Sequence, residues 1–274
     1  MSIKVSIWLR RAVIAAAAAF AMQAVPASAG TIILEGSDAI GFHCAFGDAG
    51  ACTYRDEAWT AIGGADSRPI AVFGNTVNGS AVGSGTHAVV DFANVAAAGS
   101  LSNYVALYFL AGSGCCTEDD SLIIGNEAAV SAYLTAGGTV MIENYIGGPA
   151  WDFAVGTGGT GNAHVAGVGG GLGGGSCDDG EAVTADGMSN GFVQPPVLSC
   201  WEHQGYEKSF YAALGFTHSF FDAAPSMGGA AGFSGLLSSG VTVSHDTPEP
   251  LTLTLFGAGL AGLAGLRRRR KKAA

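Results

Sequence analysis

The stretch from Tyr104 to Glu143 limits what this chain can fold into more than any other. Tyr104 to Leu110 (YVALYFL) is continuously apolar and rich in aromatic residues, and glycines bound it at Gly112 and Gly114. That pattern is expected of a strand buried on both faces. A helix should follow, with Asn126 at its cap, Glu127 in its first turn, an apolar stripe of Ala129, Val130, Tyr133 and Leu134, and Gly137-Gly138 as its stop. Thr139 to Glu143 (TVMIE) then reads as a second strand, and a strand-helix-strand unit closes with parallel strands. Thr31 to Leu34, Ile70 to Phe73 and His87 to Phe92 are further strands. Tyr206 to Leu214 is read as a helix stopped by Gly215, with Phe216 and Thr217 leading into another strand. The expected class is α/β, a flavodoxin-like or Rossmann-like layered sandwich around a mainly parallel sheet.

Both ends stand outside that fold. Lys4, Arg10 and Arg11 precede an apolar run from Ala12 to Val25, then Pro26 and the small residues Ala27 to Ala29. This is the order of a secretory signal peptide over residues 1–29, cut by signal peptidase after Ala29. The other end runs Pro248-Glu249-Pro250, an apolar stretch from Leu251 to Leu266, and a basic block from Arg267 to Lys272. Sixteen residues make a helix of roughly 24 Å, short of the roughly 30 Å hydrocarbon layer, so it is a weak anchor in the inner membrane. Six cations resist translocation and keep the other side of the chain outward. A permanent tail anchor, or a hydrophobic helix belonging to the fold, is the plainer alternative.

That order of residues 247–274 closely resembles the PEP-CTERM signal of exported bacterial proteins. The resemblance implies recognition by exosortase and delivery to the cell surface or extracellular matrix of a Gram-negative-type bacterium, with extracellular polysaccharide as a neighbour. The body, residues 30–246, is faintly similar in layout to class I glutamine-amidotransferase-like domains.

With the ends removed, Arg55, Arg68 and Lys208 face 21 acidic residues, a net charge of about −18. Such a surface repels nucleic acid. All six cysteines, Cys44, Cys52, Cys115, Cys116, Cys177 and Cys200, lie in this exported body and read as disulfides. Cys44 with Cys52, around a short glycine-rich loop, is the favoured first pair; one or both of Cys115 and Cys116 should reach Cys177 and Cys200.

Site candidates are few. The loop Ala111 to Ser121 sits where an open sheet places a site. There Cys115 or Cys116 can act as a nucleophile with His203 and Glu202 as base and orienter, the role the amidotransferase-like layout implies. The elbow glycine after the cysteine is missing, and Glu118, Asp119 and Asp120 raise a nearby thiol pKa, so disulfide use competes with catalysis. Glu118, Asp119, Asp120 and Asp178, Asp179, Glu181 offer oxygens to calcium, although neither cluster matches a calcium loop; solvated acidic loops are the alternative. Trp201, His203 and Tyr206 are either a carbohydrate-stacking platform or core anchors. Eleven of the 21 residues from Gly156 to Ser176 are glycine, which reads as a surface loop. No lysine or arginine lies from Asn75 to Glu207 to support a phosphate cradle there.

Overall fold

The computed structural model describes residues 30–74, 82–112, 116–167, 170–172, 182–193 and 201–222, and the backbone of 232–241. The segment expected to be a signal peptide, the apolar stretch 251–266 and the sorting triplet lie outside the described residues. Among the described residues, no helix is long and apolar enough to cross a membrane.

Five strands form a parallel sheet in the order β3-β2-β4-β5-β1: β1 (Gly30–Glu35), β2 (Ile70–Phe73), β3 (Val89–Phe92), β4 (Ala106–Phe109) and β5 (Thr139–Ile142). The α/β expectation therefore stands, and so does the parallel centre. Beyond β1 the sheet changes character. The strand β10 (Gly232–Val241) pairs antiparallel with β1 and with β8 (Gln204–Glu207), and β8 pairs antiparallel with β6 (Val165–Gly167). Two short strands, β7 (Ala182–Val183) and β9 (His218–Asp222), join through β10. The result is a mixed ten-stranded sheet, wider and less uniform than a flavodoxin-like sandwich.

Alternation along the parallel strands builds two cores. Ile33, Ile70, Val72, Ala106, Tyr108 and Met141 belong to one cluster with helix α1 (Ala49–Gly63), whose Tyr54, Ala58, Trp59 and Ile62 press onto them. Phe73 and Phe109 stack 4.8 Å apart outside that cluster, with Phe92 and Trp151 at either end. Helix α2 (Glu127–Thr135) links β4 to β5 and buries Val130, Tyr133 and Leu134. Asn126 does sit at its N-cap, but its side chain makes no cap bond; Glu127 instead accepts from the Gly125 amide at 3.0 Å.

Three sequence expectations fail for physical reasons. The helix read over Tyr206 to Leu214 begins only at Lys208 as α3 (Lys208–Ala213), because Gln204–Glu207 is claimed by the ladder with β6 and β10. The glycine-rich stretch is not all surface loop, since Val165 and Ala166 are fully buried in β6. Gly167 makes this possible: its φ is +112°, and a Cβ there would lie 1.8 Å from the His203 carbonyl oxygen. The loop read between Cys44 and Cys52 is the end of a π-helix (Ala39–Cys44) followed by the start of α1, which Asp48 caps through the Gly50 and Ala51 amides.

Trp59 is the keystone of the α1 side. It is fully buried, meets Tyr108 edge-on at 5.0 Å and donates from Nε1 to the Gly83 carbonyl at 3.3 Å. Trp59→Ala is expected to cost about 3–5 kcal/mol, measured by urea unfolding. A loss under about 1 kcal/mol would mean that α1 does not carry this core.

Candidate functional site

In an open parallel sheet, ligands sit at the carboxyl ends of the strands. Here those ends of β1, β4 and β5 converge on a knot of polar side chains withdrawn from water. Glu35, Ser37, Asp38, Glu143, Asn144, Glu202 and Gln204 are each at most 3% exposed. Glu35 ends β1 and Glu143 follows β5, so each closes an apolar run. The strand alternation that places Ile33 and Met141 in the α1 core carries both carboxylates into the same layer.

Glu35, Asp38, Glu143 and Asn144 are all engaged by partners within the fold. Glu143 accepts the Gly41 amide of the π-helix through Oε1 at 2.7 Å and the Ala111 amide through Oε2 at 2.8 Å. The Tyr108 hydroxyl lies 2.9 Å from Glu143 Oε1 and 3.0 Å from Glu35 Oε2, and Ser37 Oγ donates to Glu35 Oε1 at 2.9 Å. Burial, followed by the neighbouring Glu143, pushes the Glu35 carboxyl well above the ordinary carboxylate range. Burial likewise raises Glu143.

Asp38 binds both nearby imidazoles, His43 Nε2 at 3.3 Å and His203 Nε2 at 3.1 Å. Burial pushes the Asp38 carboxyl upward, but the two histidines outweigh it, and the net shift is downward. Asn144 has a left-handed φ of +49°. With its amide oriented to suit its neighbours, it donates to Gln204 Oε1 at 2.6 Å and Gly36 O at 3.1 Å, and accepts from the Cys116 amide at 3.2 Å.

Several sequence candidates do meet here. Cys116 touches this knot, with the Gln204 side-chain amide donating to its carbonyl oxygen, and His203 and Glu202 lie in the same segment as Gln204. The chemistry differs from a nucleophile with its base. Cys116 is disulfide-bonded, and His203 turns Nε2 to Asp38. Cys44 and Cys52 form the expected bridge, with Cα atoms 4.6 Å apart. Cys115, Cys177 and Cys200 lie outside the described residues, as do Asp178, Asp179 and Glu181.

The acidic loop is a clamp. Glu118 takes the Ile146 amide on Oε2 at 2.6 Å and the Gly148 amide on Oε1 at 2.8 Å, fastening the loop after β5. Asp119 accepts from Ser121 N at 3.0 Å and Oγ at 2.6 Å. Asp120 stands beside Gly148, and its carboxyl is raised by burial and then by Asp119. Among the described residues, no three His, Cys, Asp or Glu side chains are grouped to hold a metal ion. The aromatic platform is also displaced inward: Trp201 is 3% exposed and Tyr206 fully buried, so neither ring face is open for sugar stacking.

The terminal region carries the decisive likeness. Residues 246–270 match the PEP-CTERM protein-sorting motif. The chain carries a PEP-CTERM sorting signal. A PEP-CTERM signal marks an exported protein that exosortase processes at the membrane. No curated protein and no solved structure matches the chain, so the amidotransferase-like layout finds no counterpart in either comparison.

Sequence reasoning missed Asp38, Tyr108, Glu143 and Glu35 as a unit. The usable signal was a carboxylate closing each of two buried strands (IILE and TVMIE), since a charge at the end of a doubly buried strand must find partners.

Proposed function

We propose that the exported PEP-CTERM body is a structural or binding component of the cell envelope or extracellular matrix, and that it performs no catalysis. One observation supports this most: at the strand ends, where an α/β enzyme would keep an open cleft, the polar groups are bonded to one another. Glu143, Glu35 and Asp38 take their partners from the same knot. Cys116, the described candidate nucleophile, has its sulfur in a disulfide, which removes the thiolate that covalent catalysis needs. The acidic surface suits an extracellular setting with cations and neutral or basic polymer, and extracellular polysaccharide is the partner class that fits it.

The test is mass spectrometry of the exported protein with thiol labelling before and after reduction. All six cysteines are expected to be protected until reduction, and alkylation of the native protein should change nothing. Labelling of Cys115 or Cys116 without reductant, together with loss of a hydrolase activity, would overturn this reading in favour of the cysteine–His203 alternative.

A further inference from the structure

The knot contains a proton-counting problem. A tyrosine hydroxyl has a single hydrogen, yet Tyr108 lies within hydrogen-bond distance of two carboxylates, Glu143 Oε1 at 2.9 Å and Glu35 Oε2 at 3.0 Å. If both acids were ionised, one of these contacts would set oxygen against oxygen with no hydrogen between, in a layer closed to water. Among the described residues, no lysine or arginine relieves the pair. Arg55 pairs with Asp56, Arg68 with Asp66, and Lys208 is exposed. The groups facing Glu35 from neighbouring elements are Tyr54 of α1, Tyr108 of β4, Glu143 after β5 and Tyr206 of β8, and Asp38 adds negative charge at Glu143. A second buried charge there would be expensive.

The hydrogen bonds also say which acid keeps the proton. Both Glu143 oxygens already accept backbone amides, from Gly41 and Ala111, an arrangement that favours the ionised form. Glu35 is met only by neutral hydroxyls: Ser37 donates to Oε1, Tyr54 stands beside the carboxyl, and Oε2 turns to Tyr108.

We propose that Glu35 and Glu143 share one proton through Tyr108, as a latch on the strand ends. Glu35 is the protonated acid at neutral pH and donates to the Tyr108 oxygen, and Tyr108 donates to ionised Glu143. The latch has a structural reach. Glu143 pins the π-helix by its Gly41 amide so closely that a Cβ on Gly41 would lie 2.4 Å from Oε2, and it pins the loop after β4 by Ala111. Loss of the proton in alkali places two charges around one hydroxyl and frees both amides.

Infrared spectroscopy of the exported protein tests this, in a Glu118→Gln, Glu202→Gln background so that the glutamates outside the pair are silent. At neutral pH a carboxylic-acid carbonyl band is expected, and Glu35→Gln should abolish it while the near-ultraviolet circular dichroism stays unchanged, because the glutamine amide donates to Tyr108 in place of the acid. The band should vanish on alkaline titration in step with faster hydrogen exchange at Gly41 and Ala111. Absence of the band at neutral pH, its survival in Glu35→Gln, or exchange at those amides that ignores its loss would each overturn the latch. Should Glu35→Gln fail to fold, carbon-13 labelling of glutamate in the otherwise native chain identifies the band and its titration without that variant.

Discussion

The exported protein is expected to melt at a lower temperature at about pH 8 than at about pH 5, the reverse of a protein held together by surface ion pairs. The cause is burial of glutamates in a domain with almost no cations to offset them. Glu118 is pushed up to about 7, chiefly by burial, and Glu35 and Glu143 are raised by the same cause. In the unfolded chain these groups titrate near the ordinary 4.5. The folded state thus holds their protons more tightly, so their contribution is fully present below about 4.5 and is lost as pH climbs, through about 7 for Glu118 and Glu143. For Glu118 alone the rise from 4.5 to about 7 is worth about 3 kcal/mol, at roughly 1.4 kcal/mol per unit. In a domain of this size each kcal/mol moves the melting temperature by about 2–4 °C. Asp38 works in the opposite sense but in another window. Its carboxyl is raised by burial and lowered further by His203 and His43, so its contribution is present above the ordinary 3.8 and fades only in stronger acid. Calorimetry across this range at fixed ionic strength decides the matter, and a melting temperature that climbs steadily from about pH 5 to about pH 8 would sink it. Repulsion among surface acids has the same sign but is screened by salt, so the part due to buried groups is what persists at high ionic strength.

The second large effect concerns export. Replacing Pro248, Glu249 and Pro250 with alanine should leave the PEP-CTERM precursor unprocessed and confined to the membrane fraction with Arg267 to Lys272 still attached, as read by the mass of its C-terminal peptide. Removing the basic block should instead let the short apolar stretch slip through the bilayer, since six cations no longer oppose translocation. Normal trimming of the alanine variant would show that recognition does not use the triplet.

How much of this was legible in the residues depended on what each element had to bury. The parallel strands announced themselves because burial on both faces demands unbroken apolar runs: Ile70–Phe73 falls where the sequence put it, and Thr139–Ile142 within one residue. Helix α1 passed unnoticed although Ala51, Tyr54, Ala58, Trp59 and Ile62 trace one face. Alanines and glycines on that face and around it weaken the apolar contrast by which a helix is seen. The antiparallel half was hidden for another reason. Strands such as Gln204–Glu207 and Val165–Gly167 are three or four residues long and owe their form to distant partners, which local preference cannot register. The site followed the same division. His203, Glu202 and Cys116 were found by residue type, while Tyr108 and Glu35 required knowing which strands lie side by side.

The placement of β10 has a consequence for how the molecule comes into being. Gly30, the first residue of β1, is paired with Val241 at the end of β10, and Leu34 with Leu237. A chain emerging from its front end therefore completes its opening strand only when nearly all of it has arrived. Until then β1 offers one bare rim, the kind of surface that pairs with strangers. Slow, late closure of this kind makes any helper that shields the half-finished sheet during secretion as important to yield as the stability of the finished fold.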